Sequence, residues 1–296
     1  MQNRWIRLIA VLGAAALVLG ACGGGGEEPT EPGAEEQTIE TYEDLGEGDR
    51  VAVQRATTGA FWAEENLVPL GVELVSFEKA VPMYQALQAG QVVGVLNDLP
   101  VSLDAVKGKS DLEVVQQIET GEEYAIAVNK DNAGLTAAID AALLELVEDG
   151  TYEEIFSKYF PDQELPDYSD AEAPSGGSDF ETIEQGTLTV GSDIPYPPFE
   201  FEEGGALTGY DVDLVRAIAD KLGLENGDQD WISTDFGTIF QQLASGTKFD
   251  IVVAAVTAYA PDGSPASETV ADRRKIVDFS LPYYPSLQSL TINTSQ

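Results

Sequence analysis

Histidine is absent from the 296 residues, and cysteine occurs once, at Cys22. Without histidine, any acid–base chemistry would fall to Asp or Glu. One cysteine allows no internal disulfide and leaves no metal-ligand cluster to assemble. Basic residues are scarce as well: 15 Lys and Arg face 52 Asp and Glu, a formal charge of -37. Such a chain cannot present the clustered cations that phosphate backbones need, which excludes nucleic acid as a partner. The excess charge reads as a solvated surface that keeps the protein soluble and says little about a ligand. No apolar run reaches the ~20 residues of a spanning helix. The longest, "LIAVLGAAALVLGA" at 8–21, stops short.

That run follows Arg4 and Arg7, so residues 1–21 are expected to be an export signal rather than part of the fold. It ends in Leu19-Gly20-Ala21-Cys22, which resembles the bacterial lipobox. The resemblance implies cleavage before Cys22 and attachment of acyl chains such as palmitate to it, giving a lipoprotein held on the extracytoplasmic side of the cell membrane. Residues 22–42, rich in Gly, Glu and Pro, read as a disordered tether.

A second stretch of linker composition, residues 161–180, splits the remainder into two blocks. Both alternate short apolar runs with helical patterns. In the first block strands are expected at 50–54, 72–77, 92–98, 112–118 and 123–128, and helices at 59–67, 80–90, 133–150 and 152–160. In the second, 187–193 and 249–256 read as strands and 211–223 and 236–246 as helices. Strand–helix alternation implies an α/β fold with parallel sheets. The length suits one large domain or two modest lobes.

"TLTVGSDIPYPPFEFEEGGALTGYDVDLVRAIADKLG" and "FDIVVAAVT…DRRKIVDFSLPYY" resemble the opening segments of bacterial solute-binding proteins of family 3, which bind polar amino acids. "RVAVQRATTGAFWAEENL", "GVLNDLP", "GEEYAIAVNK" and "LVEDGTYEEIFSKYF" resemble the second half of the same proteins. The resemblance implies a two-lobed periplasmic-binding-protein-like fold of type II, with a ligand cleft between the lobes. The order of the segments departs from the family's: its second half comes first here. The sequence therefore resembles a circular permutant, with residues 161–180 joining the family's usual ends. A flexible linker of this length has an end-to-end distance of ~25 Å. Residues 43–127 are expected to form one lobe and residues 128–160 with 181–296 the other. The C-terminal strand is expected to end at the cleft.

The resemblance also assigns a site. Arg273 would take the ligand carboxylate, since a guanidinium can donate two parallel hydrogen bonds to it. An eleven-residue insertion between Thr257 and Arg273 puts that position in question. Thr57 and Thr58 would offer a hydroxyl and backbone N–H groups at a helix start, where an N-cap role competes. Asp98, at the carboxyl end of a strand, would take the ammonium. Asp193, Tyr196 and Phe236 would shape the side-chain pocket, with Thr257, Ala255, Gln54 and Asn97 beside it. No basic residue aligns with that subsite, which disfavours an acidic ligand; Arg55 is the one cation that could reverse this.

The implied function is capture of a free polar or basic amino acid, glutamine included, by hinge closure and its delivery to ABC permease subunits. The protein is expected to be a monomer without catalytic residue, cofactor or metal. The rivals are an enzyme on the same fold, of dehydratase-like type, and a receptor subunit that reports ligand to a sensor.

Overall fold

The computed structural model describes residues 38–171 and 179–295. Residues 1–21, expected to be an export signal, and Cys22 lie outside the described residues. Within them no helix is long and apolar enough to cross a membrane.

The chain begins with alternating strands and helices: β1 (Arg50–Gln54), α1 (Thr58–Asn66), β2 (Glu73–Phe77), α2 (Ala80–Gln88), β3 (Gly94–Asp98) and α3 (Leu99–Val106). The long β4 (Leu112–Asn129) follows, then α4 (Ala133–Asp149) and α5 (Thr151–Tyr159). α4 buries the stripe Leu135, Ile139, Ala142 and Leu146 and stops at Gly150, whose φ of 84° favours glycine. The second block contains β5 (Val190–Ser192), the hairpin β6 (Phe201–Glu203) and β7 (Ala206–Thr208), α6 (Tyr210–Leu222), β8 (Trp231–Ser233) and α7 (Phe236–Ala244). It ends with β9 (Ile251–Val252), β10 (Thr257–Tyr259), α8 (Glu268–Ile276) and a second long strand, β11 (Val277–Asn293).

Nine strands form one sheet in the order β2-β1-β3-β11-β4-β9-β5-β8, with β10 branching from β4. The outer strands run parallel within each half, as the alternation predicts. The centre is antiparallel, so the sheet is mixed. β4 and β11 form its spine. At one end Gln288–Ile292 of β11 pair with β3; at the other Ala127 and Val128 of β4 pair with β9. Between them the β4–β11 register shifts repeatedly around Pro282 and Ser286. Pro282 and Pro285 have no N–H to donate, so the ladder is interrupted where the two halves meet.

Four expectations are corrected here. Residues 112–118 and 123–128 are one strand, because Gly121 (φ 60°) is absorbed within the β4 ladder. β11 does not stop at the groove: its last residues continue into the first half, because Leu290 and Ile292 are buried with Val51, Leu67 and Leu96. Residues counted with the tether also pack on this core, with Tyr42 edge-on to Trp62 at 5.0 Å. Within the linker, Tyr168 donates to the Pro282 carbonyl (2.6 Å) and packs edge-on to Tyr152, so this part lies against the fold.

Candidate functional site

The strand ends of both halves converge on one groove. From the first half come Gln54 at the end of β1, Thr57 and Thr58 at the start of α1, and Asp98 at the end of β3. From the second come Asp193 and Tyr196 after β5, Phe236 at the start of α7, Ala254, Ala255, Thr257 and Arg273. Of the eleven ligand positions named from sequence, all but Asn97 line this cavity. Asn97 is buried beside it and accepts from the Tyr196 hydroxyl at 3.2 Å.

Arg273 reaches the cavity despite the insertion, which forms a turn closed by Ala260 N–H on Ser264 O (2.8 Å) and then starts α8. Ser267 caps that helix and Val270 and Arg273 share its buried face. The guanidinium is 6% exposed, donates to Thr257 O (3.3 Å) and Ala56 O (3.0 Å), and lies over Phe236 and Phe240 at 5.2 and 4.9 Å. Burial pulls its pKa down to about 10 against the support of Glu122 and Asp98, so it stays charged at neutral pH. Ala56 (φ 64°) and Ala255 (φ 47°) hold left-handed conformations that non-glycine residues seldom adopt, and both are at the groove.

Thr57 is a cap: its hydroxyl oxygen accepts from Ala60 N–H at 3.1 Å. Thr58 faces inward, 3.4 Å from the Thr257 hydroxyl, which donates to Glu122 at 3.0 Å. Asp98 accepts from Tyr196 (2.6 Å) and Gln288 (2.5 Å). Burial raises its pKa, and those hydrogen bonds and Arg273 oppose the rise. Asp193 accepts from Gln54 at 2.6 Å and from the Lys79 ammonium. Burial pushes this carboxyl up too, opposed first by Lys79.

Lys79 corrects the expectation that no basic residue reaches the side-chain subsite. Arg55, the cation named from sequence, instead pairs with Glu78 (2.6 Å) and Asp235 (3.4 Å) on the rim. Two further residues escaped the sequence reading. Glu122, on β4, is 4% exposed, and burial together with Asp98 raises its pKa to about 7. Gln288 joins Asp98 to Glu122. Their only sequence signal is polarity inside apolar strands.

Contacts from one half to the other (Tyr196 to Asp98, Gln54 and Lys79 to Asp193, Thr58 to Thr257, Arg273 to Ala56) close the groove. The enclosed volume is about 20 Å³, room for roughly one water. Small-molecule sites usually span ~300–1,000 Å³. Admission of an organic ligand therefore requires the halves to part. An open depression of about 840 Å³ beside Asn129, Asp179 and Phe180 is larger. It brings no buried cation together with its acids.

The fold and groove define an α/β protein whose strand ends converge on a closed charged site between two halves of one sheet. Residues 188–296 match the family model of bacterial extracellular solute-binding proteins, family 3. Over 100 residues the chain is 38% identical to a "probable histidine-binding protein" of Campylobacter jejuni, covering 34% of this chain and 33% of that protein. It is 32% identical to the L-cystine-binding protein TcyJ of Escherichia coli over 42% of this chain and 46% of TcyJ. It is 37% identical to the arginine-binding extracellular protein ArtP of Bacillus subtilis over 33% and 32%. The chain thus spans between about a third and a half of these relatives' lengths. Among solved structures, a binding-protein component of an ABC phosphonate transporter from Pseudomonas aeruginosa superposes with a TM-score of 0.45 at 11% identity, covering 84% of this chain and 69% of that one.

Proposed function

We propose that this protein binds a free polar or basic amino acid between its two halves and delivers it to an ABC importer. The carrying observation is the groove itself. A buried, charged guanidinium (Arg273) and a carboxylate (Asp98) face one cavity, with Thr58 beside the first and the Tyr196 hydroxyl on the second. A zwitterion needs an anion site and a cation site in one cavity, and the aromatic faces of Tyr196 and Phe236 supply apolar walls. The arrangement needs no reaction, which favours binding over the enzyme reading. Opening at the interrupted β4–β11 ladder would admit the ligand; closure would exclude water and strengthen both charge contacts.

The permuted order belongs to this proposal. Segments near both limits of the described residues lie against the start of β4: Tyr42 N–H donates to Gln116 (2.8 Å), Leu290 pairs with Gln116, and Thr294 N–H donates to the carbonyl of Asp111, just before β4 (2.9 Å). Lipid on Cys22 would hold the protein at the outer face of the cell membrane.

A thermal-shift screen against the twenty amino acids and ornithine tests the function. A ligand raises the unfolding temperature by mass action, so at least one polar or basic amino acid should produce a saturable rise. A flat response across the panel would overturn the proposal.

A further inference from the structure

Lys79 precedes α2 in the first half, and its ammonium crosses the groove to Asp193 and to the Ile194 carbonyl (3.1 Å) in the second. The other Asp193 oxygen is taken by Gln54. Asp193 is thus saturated by protein donors while its side chain is only 4% exposed. The Lys79 side chain remains 29% exposed, so its flexible stem has a path to solvent. Around the pair the other charged groups are Glu78 and Asp235, tied to Arg55 on the rim.

We propose that Lys79 is a built-in competitor for the cationic end of the ligand, and so a specificity-determining residue. This rests on the amino-acid-binding reading. A buried carboxylate without a counter-ion is strongly disfavoured. In this closed arrangement Lys79 supplies that counter-ion, and its butylammonium stem stands in for the side chain of a basic amino acid. An incoming ammonium or guanidinium at Asp193 would meet Lys79 in a water-poor space, where like charges repel. Binding a basic amino acid therefore requires Lys79 to swing out toward Glu78 and Asp235. A neutral polar side chain can leave the pair intact. Lys79 thereby weakens binding of basic ligands relative to neutral ones and holds the closed halves together.

The test compares the wild type with Lys79→Met and Lys79→Met/Asp193→Asn by calorimetry with arginine, ornithine and glutamine. K79M should tighten arginine or ornithine by about tenfold or more, with glutamine changed by less than about threefold. The double variant should lose the gain. Unchanged or weaker binding of the basic ligands by K79M overturns the proposal. Absence of amino-acid binding in every form overturns the underlying function instead. Small-angle scattering of the ligand-free proteins then decides the latch alone. A larger radius of gyration for K79M supports it, and an unchanged one overturns it.

Discussion

Two pairs of buried acids sit back to back in this protein and behave differently. Asp98 and Asp193 face the groove, and every carboxylate oxygen has a donor, some of them reaching across from the other half. Glu200 and Asp211 lie behind Ala255, both fully buried. Asp211 accepts from Ala255 N–H (3.1 Å) and the Tyr283 hydroxyl (3.0 Å), while neither oxygen of Glu200 has a hydrogen-bond partner. Burial and mutual repulsion drive Glu200 well above the carboxylate range, and burial brings Asp211 to about 7. The groove acids are served by donors from both halves, which oppose the rise that burial brings. The rear acids are raised by burial, and Glu200 also by the neighbouring Asp211, while the donors to Asp211 do not cross the groove. A buried acid is thus a binding group where mobile donors serve it and a structural one where a proton does.

The sharpest way to break this contrast is at Arg273, the cation of the groove. Arg273→Ala should cost amino-acid affinity about 2–5 kcal/mol by calorimetry, with the circular-dichroism spectrum unchanged. An affinity within about threefold of the wild type would remove Arg273 from the site. Asp98→Asn comes next, with an expected loss of about 1.5–3 kcal/mol for one charge-assisted partner.

The rear pair is tested by pH. Glu200 and Asp211 keep protons in the folded state that they release in the unfolded chain. Their stabilisation is therefore complete below about pH 4; that of Asp211 is lost as pH rises through about 7, and that of Glu200 declines over the same rise and beyond it. Each proton contributes a slope of up to ~1.4 kcal/mol per pH unit in that window. Glu200→Gln should flatten the fall in unfolding temperature between pH 5 and 8; an unaltered slope would contradict proton storage there. The smallest effect separates adjacent threonines. Thr57→Ala should lose ~1 kcal/mol of stability through its cap with affinity intact, whereas Thr58→Ala should weaken binding more than folding.

Much of this was legible before the structure. α4 shows in its apolar stripe and terminal Gly150, and ten of the residues that line the groove are named from a resemblance of short segments. What stayed hidden has physical reasons. β11 carries Pro282 and Pro285, which break strand patterning, so its course into the first half cannot be read. α8 buries only Val270 and Arg273, and two residues make no apolar stripe. Lys79 sits at a strand-to-helix junction, where nothing in the local pattern reveals that its side chain crosses to a residue more than a hundred positions away.

The most direct test of the central claim is a crystal structure with the amino acid that gives the largest thermal shift. The ligand carboxylate should lie on Arg273 and Thr58, its ammonium on Asp98, and its side chain between Tyr196 and Phe236. A ligand bound outside this groove, for example in the open depression beside Asp179 and Phe180, would contradict it.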